Sequence, residues 1–117
     1  MEFTIEFYEN PSGRCPVEEF LDELKGSDPD DFAAVMAGLV RLRTRQYHHP
    51  PLSKAIGDDL FEMRHIGKLN TRMLYFFMKG RRIVIVHGIR NKNKKIPSRH
   101  RKVALERKRE WLERNQV

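Results

Sequence analysis

Residues 60–88 read LFEMRHIGKLNTRMLYFFMKGRRIVIVHG, three apolar runs rich in β-branched and aromatic residues, cut by GKLN (67–70) and KGR (79–81). Runs of this length with such short connectors predict strands over Leu60–Ile66, Thr71–Met78 and Arg82–Gly88, joined as antiparallel hairpins. The last run is almost continuously apolar, which places it inside a sheet rather than at a free edge. Upstream, YHHPPLSKAIGDD (Tyr47–Asp59) carries two prolines and a glycine and reads as an irregular connection exposing His48, His49 and Lys54.

Two helical patterns precede that connection. Pro16 opens the first, with Val17, Phe20, Leu21 and Leu24 on one stripe and Gly26 at the capping position. Asp28 and Pro29 start the second, whose stripe is Phe32, Val35, Met36 and Leu39. Together they predict a helical hairpin. Arg41, Arg43 and Arg45 crowd its end, where cations suit the helix dipole as well as they would suit a nucleic acid. Before the hairpin, EFTIEFY (Glu2–Tyr8) alternates with period two and predicts a half-buried strand. After residue 88 comes a basic loop, IRNKNKKIP. Ser98 then caps a final helix with Ala104, Leu105, Trp111 and Leu112 on its apolar side. The expected order is β-α-α-β-β-β-α. It describes one α+β domain spanning residues 1–117, with helices packed over one face of a largely antiparallel sheet.

The chain has 117 residues, a net charge of +7 and a mean hydropathy of −0.66, a polar but foldable composition. Residues 1–58 hold 6 Lys/Arg against 11 Asp/Glu, whereas residues 59–117 hold 17 against 5. A basic half of this kind expects a polyanion. The one cysteine, Cys15, excludes an internal disulfide, and no arrangement around it suggests a nucleophile. No Cys or His spacing suggests a metal site, and no apolar run is long enough to span a bilayer. The acidic, alternating N-terminus does not read as a signal peptide, so a cytoplasmic protein is expected.

The order of elements, with LFEMR, TRMLYFF and IVIVHGIRNKNKKIPSRHRKVALER, resembles the RelE/ParE toxin superfamily, closest to its phage-derived HigB-like branch. Leu60, Phe61, Glu62, Met63 and Arg64 match the first motif. Arg72, Leu74, Tyr75 and Phe76 match the second, and His87, Gly88, Lys92, Lys95, Pro97 and Ala104 the third. Ile89 replaces the usual aromatic, and Asn91 stands where the first lysine of a pair is expected. The resemblance implies a RelE-like fold and a type II toxin. Its activity would be ribosome-dependent, metal-independent endoribonucleolytic cleavage of mRNA that inhibits translation, without a cofactor. The implied partners are a cognate helix-turn-helix antitoxin, rRNA and mRNA, with operator DNA reached only through the antitoxin complex. The same superfamily also implies an alternative, a ParE-like DNA gyrase inhibitor, and the basic charge alone supports another, a noncatalytic RNA-binding protein.

Cleavage of this kind uses the RNA 2′-hydroxyl as nucleophile, so the protein must orient the phosphate and stabilise charge on it. Arg64 and Arg72 are the expected phosphate clamps, because guanidinium forks match phosphate oxygens. Lys92 and Lys95 are candidates for proton transfer, and His65 and His87 titrate nearest neutrality. Lys54, Arg90, Asn91, Lys94 and Arg99 are candidate RNA contacts. Competing structural readings exist. Glu62 with Arg64 or Arg72 makes a cross-strand charge pair, His87 ends a buried strand, and Tyr75, Phe76 and Phe77 fill core.

Overall fold

The computed structural model describes residues 2–115. Its elements are β1 (Thr4–Phe7), α1 (Pro16–Ser27), α2 (Pro29–Arg41), a 3-10 turn (Arg45–Tyr47), β2 (Ser53–Gly57), β3 (Leu60–Ile66), β4 (Asn70–Met78), β5 (Arg82–Asn91) and α3 (Ser98–Arg114). The sheet order is β1-β5-β4-β3-β2; β1 runs parallel to β5 and every other pairing is antiparallel. The α+β class and the largely antiparallel sheet are as expected, and β5 is indeed interior.

Two expectations change. The connection 47–59 is not irregular throughout, because Ser53–Gly57 forms an edge strand paired with β3. Asp58 and Asp59 both take a left-handed φ of 55°, the conformation of a tight two-residue hairpin, which aspartate tolerates better than most residues. The Ser53 hydroxyl anchors the strand against the Tyr75 hydroxyl in the core. The helices, moreover, do not share one face. The α1–α2 hairpin packs on one side, where Val17, Leu21, Leu24, Val35 and Leu39 meet Met63, Met73, Tyr75, Ile83 and Ile85. On the other side Ala104 and Trp111 of α3 meet Leu60, Leu74, Phe76, Val84 and Val86. Alternation along the interior strands explains this, since each presents large apolar residues to both sides and both must be covered.

Local chemistry sets the helix ends. Asp28 closes α1 through its N–H to the Leu24 carbonyl and caps α2 by accepting from the Asp31 N–H, so one residue makes the hairpin corner. Gly26, expected as the cap, lies within the last turn of α1. α3 begins at Ser98 with Pro97 in the capping position and no side-chain cap, so the expected serine cap is not made. Gly88 is required by packing: a Cβ there would sit 2.5 Å from a ring carbon of Phe20. The far end of α3 is fixed by the Tyr8 hydroxyl, which donates to Glu110 at 2.8 Å, and by an edge-to-face contact of Phe76 with Trp111. Among the described residues, no helix is long and apolar enough to cross a membrane.

Candidate functional site

Register brings the expected arginines together. Arg64 of β3 stands directly opposite Arg72 of β4, and Lys54 of β2 directly opposite Glu62 of β3. Because directly paired residues share a face, and positions two apart along a strand do too, all four lie on the side that α3 only partly covers. The basic loop after β5 folds back over the same side. Lys54, Glu62, Lys94, Lys95 and Arg101 thereby line one pocket of about 360 Å³, walled by Ile56 and Ile96. Arg64 borders a smaller adjoining cavity with Pro50, Pro51, Lys54 and Glu62.

The two arginines have different surroundings. Arg72 is 0% exposed. Its guanidinium donates to the backbone carbonyls of Asn93 and Lys94, and its Nε lies 3.5 Å from a Glu62 oxygen. Burial lowers its pKa and Glu62 opposes that shift; an arginine so placed stays charged. In this conformation Arg72 therefore faces protein rather than solvent, and its hydrogen bonds hold the lysine-bearing loop. Arg64 is half-buried, and among the described residues no carboxylate pairs with it.

Among the described residues Glu62 is the only carboxylate lining the 360 Å³ pocket, although its side chain is almost wholly buried. Lys54, half-exposed, approaches its other oxygen at 3.6 Å. Lys94 and Lys95 are exposed, and no ion pair holds them among the described residues. Arg101, outside the apolar side expected for α3, donates to the Ile56 carbonyl and the Asp58 carboxylate, tying α3 to the β2–β3 hairpin. Gly57, at φ +91°, makes room for it, since a Cβ there would meet the guanidinium at 2.9 Å. The signal for Arg101 is non-local, which is why periodicity did not reveal it.

The remaining expected residues disperse. Arg90 lies on the α1–α2 side, where it pairs with Asp28 and Asp31. Asp31 is buried and also takes the Thr71 hydroxyl at 2.5 Å and His65 at 3.1 Å, so His65 belongs to this second cluster. The Asp31 N–H and the Arg90 guanidinium hold the Asp28 carboxyl below its usual pKa. Asn91 is half-buried and its amide atoms lack hydrogen-bond partners; Lys92 and Arg99 are exposed outside the pocket lining. His87 points toward α3, where Arg107 donates to its Nδ1 at 3.0 Å and its Nε2 meets His100 Nδ1 at 2.8 Å. Burial first, then Arg107 and His100, pushes its pKa down to about 4, so His87 is neutral near pH 7. Tyr75 and Phe76 are core residues, and Phe77 packs against the same core.

Among the described residues no group of three or more His, Cys, Asp or Glu is placed to hold a metal. The site offers a pocket richer in cations than anions, open to solvent and built on a rigid sheet, which suits a phosphodiester.

No curated protein matches the chain. The family model of the phage-derived protein Gp49-like (DUF891) matches residues 19–109, from the first turns of α1 to the middle of α3, and so spans all four antiparallel strands and the lysine loop. On that match the chain belongs to the Gp49-like family of phage-derived proteins, within the RelE-like toxin–antitoxin group.

Proposed function

We propose that this protein is the toxin of a type II toxin–antitoxin system and cuts mRNA on the ribosome. The observation that carries the reading is the convergence of Lys54 from β2, Lys94 and Lys95 from the loop and Arg101 from α3 on one pocket holding a single carboxylate. Membership of a toxin–antitoxin family supports the toxin role and an antitoxin partner; the antitoxin is proposed to be a separate helix-turn-helix protein.

In this mechanism Arg64, Lys54 and Lys94 hold the scissile phosphate and stabilise the added negative charge as the 2′-oxygen bonds to phosphorus. Lys95 delivers a proton to the 5′-oxygen as its bond to phosphorus breaks, while water takes the proton released by the 2′-hydroxyl. Lys92 and Arg99 contact flanking phosphates or rRNA. Arg72 acts at one remove, as a positioning residue that fixes the loop carrying Lys94 and Lys95. Charge on the phosphate is met entirely by side chains in this scheme.

Induction in cells followed by mapping of mRNA ends tests the proposal. Growth arrest with mRNA cuts that disappear in the Arg64→Ala and Lys94→Ala/Lys95→Ala variants is expected. Accumulating DNA breaks with continued translation would instead select gyrase inhibition, and RNA binding without arrest a noncatalytic role.

A further inference from the structure

Resting on the reading of the pocket as an RNA site, we propose that it selects guanine, with Glu62 as the specificity-determining residue. Glu62 is 2% exposed, yet it lines the pocket. Its two ion-pair distances, 3.6 Å to Lys54 and 3.5 Å to Arg72, centre it between two cations, and among the described residues no hydrogen bond fills its acceptor positions. Arg72 reflects the same geometry, because among the described residues its Nε and Nη1 have no hydrogen-bond partner. A carboxylate fixed between two cations at the floor of an open pocket, with acceptor capacity unspent, is arranged to receive donors from a ligand.

The walls indicate what carries those donors. Ile56 and Ile96 offer apolar flanks for a flat ring, while Lys54, Lys94 and Lys95 at the rim suit the phosphate of the same nucleotide. About 360 Å³ accommodates one nucleotide. Of the four RNA bases, only guanine presents two adjacent N–H donors on its pairing edge, at N1 and the exocyclic N2, matching two carboxylate oxygens. Adenine and cytosine set one amino group beside an acceptor nitrogen that an anion repels, and uracil sets one N–H between two carbonyls. A buried acceptor-only group therefore discriminates in one direction.

The test is an NMR titration of the full chain with guanosine, inosine, adenosine and uridine 3′-monophosphates. Inosine lacks only the exocyclic amino group. Guanosine monophosphate is expected to bind about tenfold or more tighter than the inosine nucleotide, the value of one hydrogen bond to a charged group. The isosteric Glu62→Gln variant should erase that preference, while Lys94→Ala/Lys95→Ala should weaken all four nucleotides alike. Equal affinities, or a guanine preference that survives in Glu62→Gln, would overturn the proposal. Should Glu62→Gln not fold, the guanosine and inosine comparison in the unaltered protein still decides guanine selection, and the shorter Glu62→Asp variant tests the assignment to Glu62, a preference it leaves unchanged overturning that assignment. Nucleotide binding without preference removes guanine selection and leaves the RNA site standing. Preference without mRNA cleavage removes the nuclease and leaves selection, and absence of any binding removes both the RNA site and the selection.

Discussion

The two faces of the sheet treat charge in opposite ways. Under the α1–α2 hairpin, Arg90 is matched by Asp28 and Asp31, and Asp31 also receives Thr71 and His65. On the α3 side Glu62 is shared by Arg72 and Lys54, and among the described residues Lys94 and Lys95 have no acidic neighbour paired with them. Charge on the first face locks helix to sheet. On the second, a buried pair holds up a loop whose remaining cations are proposed to meet a ligand, so cations of one type in sequence divide into fasteners and proposed binders.

The sharpest way to break this contrast is Arg72→Ala. Removing one partner of a buried pair leaves Glu62 with only the half-exposed Lys54 at 3.6 Å and costs about 3–5 kcal/mol. A fall of about 10 °C or more in the thermal midpoint is expected; a shift of only about 2–3 °C, the effect of less than about 1 kcal/mol, would show that Arg72 is no fastener.

Acid comes next. His87, with a pKa near 4 folded against 6.5 ordinarily, binds its proton more weakly in the folded state. Stability is therefore full above about pH 6.5, falls as pH drops toward 4, and stops falling from this source below that. The loss reaches at most about 3 kcal/mol, less for the partial exposure of the ring. Burial lowers the His100 pKa as well, with the same sign. Thermal midpoints between pH 7 and 4 check this, and His87→Gln should flatten the decline.

Arg90→Ala should cost about 1–3 kcal/mol, because buried Asp31 loses a charged partner, while RNA affinity in gel-shift titrations stays unchanged. A large loss of affinity without loss of stability would move Arg90 to the binding side of the comparison. Smallest in stability is Lys94→Ala/Lys95→Ala, expected within about 0.5 kcal/mol of the original. Its signature lies elsewhere: RNA affinity falls and the salt dependence of binding flattens by about two phosphate contacts. An unchanged salt slope would make these lysines mere solvated surface.

How far the sequence could be read differs between the same two faces. The strands at 60–66, 71–78 and 82–88 and the α1–α2 hairpin were legible because each declares itself by local period and punctuation. β2 was not, since Ser53–Gly57 is short, partly polar and preceded by two prolines, and its turn uses Asp58–Asp59 where glycine usually carries the signal. That Arg64, Glu62 and Arg72 deserved notice was readable; that Arg72 turns inward and Arg64 does not depends on the loop at 93–94 closing over one of them. The ion pairs of Arg90 were not legible for a related reason. Neighbours in a basic run alternate sides on a strand, so Arg90 at the end of β5 points to the acidic hairpin while the loop beyond it is free to turn toward the other face.

The pairing of β1 with β5 sets a schedule for assembly. Thr4–Phe7 bonds to Arg82–Ile85, and Tyr8 waits for Glu110. A chain emerging from the ribosome makes β1 early but cannot seat it until nearly everything else has been synthesised, and closing so long a loop is slow compared with forming a hairpin. The pocket needs more than the loop that follows β5: Arg101 of α3 completes its lining, so the cationic site cannot close until the chain has been made past residue 101.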